Sequence, residues 1–155
     1  MQVRPAQPNE IPLIFSFIQK KAEFDRRIGA YSGRLQVTAE KLSKTLFVPI
    51  PFSYVLFAEQ PTGVVGFALY GFRYSSFVGQ PSLWLDDLYV DEPNRSQGTG
   101  TVLMNTLAEV AEAHDCTHLA WTADARNQRG LNFYNQIGAT IAEQTGDRCL
   151  FTWNP

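Results

Sequence analysis

The chain has 155 residues, 45% of them hydrophobic, which suits one domain with a substantial core and excludes a disordered chain. Its 13 basic and 15 acidic side chains give a formal net charge of −2, which argues against a nucleic-acid partner because such partners usually bind basic proteins. Two cysteines, Cys116 and Cys149, are too few for a disulfide framework, so reduced thiols and a cytoplasmic location are expected.

The N-terminal third predicts one strand and two helices. Gln2–Pro5 is expected to form a short strand, and Asn9 to cap a helix that runs to about Phe24. The apolar stretch inside that helix is too short to span a bilayer and follows no basic leader, so no membrane partner is expected. Residues 25–37 are expected to form a loop, after which Thr38 caps a second short helix.

Residues rich in Val, Phe and Tyr then predict three strands, over 53–59, 64–74 and 83–90. Pro61-Thr62-Gly63 is a hairpin turn between the first two strands, and Gly66 and Gly71 are candidate bulge positions.

A glycine-bearing loop, residues 95–100, follows the third of these strands and precedes an amphipathic helix that runs to about Ala113. The first amides of a helix have no internal partner and lie at the positive end of its dipole. Gly98 and Gly100 would let an anion approach those amides, which predicts a phosphate site. The alternative is that the glycines only permit a sharp entry into the helix.

The last part of the chain predicts a strand over 117–122, a helix from its cap at Asn127 to about Ile137, and a final hairpin over 139–153. In all, seven strands and four helices predict a mixed α/β sheet. His114 and His118 straddle a helix end and a strand start, so we expect no metal site.

Two motifs in this order resemble those of the GCN5-related N-acetyltransferase (GNAT) superfamily. Arg95-Ser96-Gln97-Gly98-Thr99-Gly100 is similar to its coenzyme A pyrophosphate loop, and Asn132-Phe133-Tyr134 with Gly138-Ala139 is similar to its second signature. Within the superfamily the sequence looks closest to diamine and thialysine N-acetyltransferases. The segments that carry this closer resemblance are Val3-Arg4-Pro5-Ala6, Val65-Gly66-Phe67-Ala68-Leu69-Tyr70, Asp86-Asp87 and Leu131-Asn132-Phe133-Tyr134.

The resemblance implies that residues 1–155 form a single domain with the GNAT fold. That fold is a mixed, mostly antiparallel seven-stranded sheet with about four helices, in which the central strands splay apart to admit acetyl-CoA. It also implies a homodimer.

The resemblance implies roles for individual residues as well. The backbone of Leu88, Tyr89 and Val90 would hold the pantetheine arm, and Tyr134 would be the general acid that protonates the leaving thiolate. A plain central strand and a space-filling tyrosine are the structural alternatives. The residues expected to contact the diphosphate region are Arg95, Ser96, Gln97, Gly98, Thr99, Gly100 and Asn127, with Arg126 and Arg129 proposed for the outer phosphate from their charge.

Acidic residues are the candidates for acceptor binding, because an amine arrives as ammonium and must lose a proton before it attacks. Side chains alternate along a strand, so Asp86 and Asp87 should lie on opposite faces of the sheet. Asp86 is the candidate for substrate binding and proton removal, with Asp87 beside it; a salt-bridged surface acid is the alternative. Glu23 and Asp25, in the expected loop after the first helix, would add acceptor-binding charge.

These inferences predict an acetyl-CoA-dependent N-acetyltransferase that acts on a small primary amine: a diamine, a polyamine or a lysine-like amino acid. The alternatives are a catalytically silent acyl-CoA-binding module and a protein-lysine acetyltransferase. An open groove would favour the last, whereas Phe72, Tyr74, Phe77 and Trp84 suggest an apolar-walled, more closed cleft.

Overall fold

The structure, a computed structural model, describes all 155 residues. It contains the seven strands and four helices that the sequence predicts. They are β1 (Gln2–Pro5), α1 (Ile11–Arg27), α2 (Ala39–Leu46), β2 (Tyr54–Gln60), β3 (Gly63–Ser75), β4 (Gln80–Val90), α3 (Thr99–Ala113), β5 (Leu119–Asp124), α4 (Gln128–Gln136), β6 (Thr140–Thr145) and β7 (Arg148–Trp153). None of the helices combines the length and apolar character needed to cross a membrane.

All the strands belong to one sheet, in the order β1-β2-β3-β4-β5-β7-β6, and only β4 and β5 are parallel. The β4–β5 pairing is limited to Leu83 with Leu119 and Trp84 with Ala120. Beyond Trp84 the two strands separate, so residues 85–90 have no partner strand on the β5 side. The expected splay of the central strands is therefore confirmed, and it opens the middle of the sheet.

Two apolar clusters cover the opposite faces of the sheet. One packs α3 and α4 against the sheet and includes the fully buried side chains of Leu103, Met104 and Leu107. The other packs α1 and α2, with Phe17 buried against Phe67 at a ring-centroid distance of 5.3 Å. Because both faces are covered, the splayed strands lie between two rigid layers.

The start of α1 differs from the prediction. Asn9 does not cap the helix but lies within a 3₁₀ turn, Pro8–Glu10. Glu10 instead accepts a hydrogen bond from the backbone N–H of Gln7 at 2.7 Å and pairs with Arg4 at 2.7 Å, so an ion pair fixes the start of the helix. The helix also ends at Arg27 rather than near Phe24. Its last turns therefore include Glu23 and Asp25, which the prediction wrongly placed in a loop.

The other predicted caps are confirmed. Thr38 Oγ1 accepts from Lys41 N at 3.1 Å, Asn127 Oδ1 accepts from Gly130 N at 2.9 Å, and Gly138 follows α4 with a φ of 90°. These caps could be predicted from the sequence because a cap depends only on the residues of its own helical turn.

Two irregularities interrupt the pairing of the long strands. Ala58 pairs with Gly66 and Glu59 with Val64, so Val65 is an extra residue on β3. The bulge predicted at Gly66 is therefore confirmed. Gly71, in contrast, pairs regularly with Trp84 and marks no bulge. The second irregularity lies on the partner strand, because Leu69 pairs with Asp87 and Tyr70 with Leu85, which leaves Asp86 without a partner on β3.

Candidate active site

The gap between β4 and β5 opens into a cleft of about 860 Å³, bordered by the end of α1 and the starts of α3 and α4. The structure thus brings to one place segments that lie far apart in the chain. The predicted site residues that line the cleft are Asp25, Asp86, Asp87, Leu88, Tyr89, Val90, Arg95, Ser96, Gly98, Thr99, Gly100, Asn127 and Tyr134.

Two predicted site residues lie outside the cleft lining. Glu23 is exposed and faces Arg26 and Arg27, at 3.7 and 3.6 Å, on the solvent side of α1. Gln97 is also exposed, and its side-chain amide donates to the backbone oxygen of Pro93 at 3.0 Å. Neither side chain faces the site.

The start of α3 is shaped to receive an anion. Gly98 takes the N-cap position with a φ of 84°, and no side chain caps the first amides. A side-chain carbon on Gly98 would meet nothing within 4 Å, so the approach to these amides is open. At Gly100 such a carbon would lie 3.1 Å from the ring of Phe133, so glycine is needed there for α3 and α4 to pack. An open helix start built on two glycines fits a coenzyme A diphosphate.

Arg95 holds this loop against the end of β4. Its Nε donates to the backbone oxygen of Val90 at 2.9 Å, and its guanidinium lies 5.3 Å from the ring centroids of both Phe24 and Tyr89. Arg95 therefore brings a positive charge to the cleft and also holds the loop in place. Only the backbone of Thr99 is available to a ligand in the cleft, because its side chain is fully buried.

The two arginines at the start of α4 differ in their surroundings. Arg129 lines the cleft and donates from Nη2 to Ser96 Oγ at 2.9 Å, which joins α4 to the glycine loop. Arg126 instead pairs with Asp124 at 2.8 Å and is absent from the cleft lining. Of the two, Arg129 is therefore the one placed beside the loop.

Tyr134 projects from α4 into a cluster of aromatic rings. Its ring centroid lies 4.9 Å from that of Trp121, 5.1 Å from that of Phe151 and 5.4 Å from that of Phe133. Burial raises the pKa of Tyr134 well above its usual value, and the negative charges of Asp87 and Asp25 raise it further. The phenol is thus held in its protonated form at neutral pH, as a proton donor must be.

A bulge falls at the paired acids of β4, where the sequence predicted simple alternation, and both acids line the cleft. Asp86 is the unpaired residue of the bulge and is exposed, whereas Asp87 is half-buried and pairs with Leu69. Desolvation raises the pKa of Asp87 to about 7, opposed by the charge of Lys21 and reinforced by those of Asp86 and Asp25. The carboxyl that lies in the same electrostatic environment as Tyr134 is therefore Asp87, rather than the Asp86 favoured from the sequence.

Lys21 is a cleft residue that the sequence reasoning missed. Its ammonium forms a salt bridge with Asp25, one turn further along α1, and both side chains are about three-quarters buried. A signal was present, because Lys21 follows the buried Phe17 by four residues and so continues the face of α1 that packs on the sheet. Nothing in the sequence, however, shows that this face meets a cleft.

The loop after α1 borders the cleft. A side-chain carbon on Gly29 would lie 3.4 Å from Arg126 Nη1, so this loop meets the β5–α4 connection, and Ala30 lines the cleft beside it.

The aromatic residues expected to wall the cleft are elsewhere. Phe72 packs on His114, Arg73 covers Trp84 at 3.5 Å, and Tyr74 and Phe77 are exposed around the β3–β4 hairpin. The wall prediction was wrong because these residues lie at or on the hairpin side of Trp84, where β4 still pairs with β5, whereas the cleft opens beyond Trp84.

Comparison with known proteins agrees with this geometry. Residues 24–139 match the model of the acetyltransferase (GNAT) family. The chain is 30% identical to the Bos taurus thialysine N-ε-acetyltransferase over 97% of its own length and 91% of that protein. It is 31% identical to the Mus musculus protein of the same name over 89% of its own length and 83% of that protein.

Among solved structures, a PaiA N-acetyltransferase from Thermoplasma acidophilum in complex with coenzyme A superposes with a TM-score of 0.82. The match covers 99% of this chain and 98% of that one at 15% identity, so it supports the fold assignment alone.

Proposed function

Since the chain belongs to the acetyltransferase (GNAT) family and is an N-acetyltransferase, we propose that it moves the acetyl group of acetyl-CoA to a primary amine of a small molecule. The acceptor would be a diamine, a polyamine or a lysine-like amino acid, and its nitrogen would attack the thioester directly. The observation that carries the proposal is that one cleft contains the open start of α3, the protonated Tyr134 and the half-buried Asp87.

Acetyl-CoA supplies an acetyl group already activated as a thioester, so the chain's own task is to bind, orient and move protons. In the proposal, the amides at the start of α3 and Arg129 hold the diphosphate. The unpaired edge of β4, residues 85–90, receives the pantetheine arm as an added strand. One amide of Leu88, Tyr89 or Val90 would stabilise negative charge on the thioester oxygen.

Asp87 is the proposed base. An amine enters as an ammonium, and a carboxyl with a pKa of about 7 can attract it and also accept its proton near neutral pH. Asp86, exposed on the bulge beside it, adds negative charge at the acceptor end of the cleft. The proposal therefore exchanges the roles that the sequence suggested for the two acids.

Tyr134 is the proposed acid that protonates the departing thiolate. Its raised pKa makes it a weak acid in the free protein, because burial disfavours the phenolate and the charges of Asp87 and Asp25 add to this effect. A cationic acceptor next to Asp87 and Asp25 would offset those charges and bring the pKa of Tyr134 closer to that of a thiol. Proton donation is thus expected to depend on acceptor binding.

A small acceptor is supported over a peptide by the relatives of the chain, because the Bos taurus and Mus musculus proteins are named for the acetylation of thialysine, a small molecule.

Thiol release tests the proposal. The protein is incubated with acetyl-CoA and a panel of primary amines, with peptides that contain lysine as the comparison, and free coenzyme A is followed with a thiol reagent. We expect amine-dependent release with small acceptors. Saturable coenzyme A binding with no turnover on any amine would indicate a silent acyl-CoA-binding module, and faster turnover of peptides would indicate a protein acetyltransferase.

Three further parts of the proposal rest on the sequence. Residues 1–155 act as a single domain, as their number suggests; the protein is a homodimer, as the resemblance implies; and it is cytoplasmic, as its two cysteines suggest. Light scattering coupled to gel filtration measures the oligomeric state, for which a mass near twice 17.4 kDa is expected.

A further inference from the structure

Lys21 is a positive charge at the end of the cleft where a cationic acceptor is proposed to bind. Phe17, one turn earlier on α1, is fully buried and packs on Phe67 and Tyr89, with ring centroids 5.3 and 6.2 Å away. Because residues four apart share a helix face, Lys21 extends from that packed face into the cleft. Its position is therefore set by the core, and its side chain is 23% exposed.

The ammonium of Lys21 has hydrogen-bond donors that are not in use. It can donate three hydrogen bonds, and the structure shows one, to Asp25 Oδ2. Lys21, its partner Asp25 and Asp87 all line the same cleft, which puts the lysine among the acids proposed to receive the acceptor.

The pair formed by Lys21 and Asp25 is complementary to a zwitterion. We propose that Lys21 binds the α-carboxylate of the acceptor and Asp25 its α-ammonium, so that the enzyme selects a basic amino acid over the diamine of the same length. The side-chain amine of that acceptor would then extend towards Asp87 and Tyr134. This inference rests on the proposed function, because it assigns the acceptor class of the same cleft.

A different role for Lys21 would be simple charge compensation of the nearby acids. In that case, removing the charge would make the cleft more negative and favour every cationic acceptor. Direct binding of a carboxylate predicts the opposite for an amino acid, since its recognition group is lost. The sign of the change for an amino-acid acceptor therefore separates the two roles.

The test compares L-ornithine with 1,4-diaminobutane, which differ only by the carboxylate. Lys21→Met keeps the length of the side chain without its charge, Lys21→Arg restores a charge, and Lys20→Met is the matched control. Lys20 is the neighbouring residue, lies outside this cleft and pairs with Asp91 at 2.8 Å.

We expect Lys21→Met to lower kcat/KM for L-ornithine by about tenfold or more, chiefly through KM, without lowering that for 1,4-diaminobutane. Lys21→Arg should recover most of the loss, and Lys20→Met should leave both values near wild type. Changes of the same direction and size for both acceptors in Lys21→Met would overturn the inference.

Binding keeps the inference testable even if turnover fails. Calorimetric titration of the coenzyme A-loaded protein with each compound should show tighter binding of L-ornithine, and the preference should disappear in Lys21→Met. Absence of turnover in the wild type would defeat the proposed function, whereas equal affinities for the two compounds would defeat the assignment of Lys21.

Discussion

The ring of Trp121 on β5 lies 4.9 Å from the ring of Tyr134 on α4, inclined by 51°. The ring of Phe151 on β7 stacks on that of Trp121 at a centroid distance of 5.8 Å. It also lies 5.1 Å from the ring of Tyr134. Two aromatic side chains from two strands thus hold the phenol near the point where β4 and β5 separate. A proton donor held this rigidly needs no rearrangement before it acts.

Replacement of Tyr134 by Phe tests that role. The variant keeps the ring packing and removes only the hydroxyl, so kcat should fall by about 100-fold or more while coenzyme A affinity stays within about twofold. Steady-state kinetics and a coenzyme A titration measure the two quantities. Tyr74→Phe, at an exposed position near the hairpin, is the control and should behave as wild type. Wild-type turnover in Tyr134→Phe would remove the tyrosine from the mechanism.

The pH dependence of kcat/KM tests Asp87 as the base. Burial raises its pKa to about 7, so the ionised form that accepts a proton predominates above pH 7 and is lost below it. We expect kcat/KM to rise with pH through this region and expect the rise to disappear in Asp87→Asn. Asp115→Asn, an exposed substitution in the turn after α3, should keep the wild-type profile. Loss of the rise in Asp86→Asn but not in Asp87→Asn would restore the assignment made from the sequence.

Asp87→Asn should also stabilise the protein at neutral pH. The folded-state pKa of Asp87 lies above the unfolded value of 3.8, so the folded state binds more protons between these values. The stability contributed by this group is therefore complete below pH 3.8 and is lost as the pH rises through 7. We expect the substitution to raise the free energy of unfolding by roughly 1–3 kcal/mol at pH 8 and by much less at pH 4. Urea unfolding at both pH values measures it, and an equal gain at both would contradict the argument.

Gly98→Ala tests the anion site at the start of α3. Gly98 and Gly146 both have positive φ, 84° and 59°, and neither has an atom within 4 Å of an added side-chain carbon. Alanine should therefore cost about 1 kcal/mol of stability at either position. Only Gly98→Ala should weaken coenzyme A binding, by about tenfold, because only that loop presents amides to the cleft. Equal affinities in the two variants, measured by calorimetry, would argue against a diphosphate at this loop.

The sequence predicted those features of the fold that depend on local chemistry. The glycines before α3, the caps at Thr38 and Asn127, and the number of strands follow from neighbouring residues, and all appear in the structure. The separation of β4 from β5 was predicted from the family resemblance alone. Strand ends and the length of α1 were less well predicted, because packing rather than local propensity decides where an element stops.

The parts of the site that sequence could not give depend on register and on tertiary contact. The bulge leaves Asp86 exposed and Asp87 half-buried, and no residue in the sequence signals it, because the candidate glycine, Gly71, pairs regularly with Trp84. Lys21 was missed because most residues of the cleft come from the middle and the last third of the chain, far from Lys21 in sequence. Both are consequences of long-range pairing that a local pattern does not encode.

The most direct test of the account is a crystal structure of the protein with coenzyme A. In that structure we expect the diphosphate to accept hydrogen bonds from the amides at the start of α3 and the pantetheine arm to pair with β4. We also expect the sulfur to lie within hydrogen-bond distance of Tyr134 Oη. A diphosphate bound elsewhere, or a sulfur remote from Tyr134, would contradict this account.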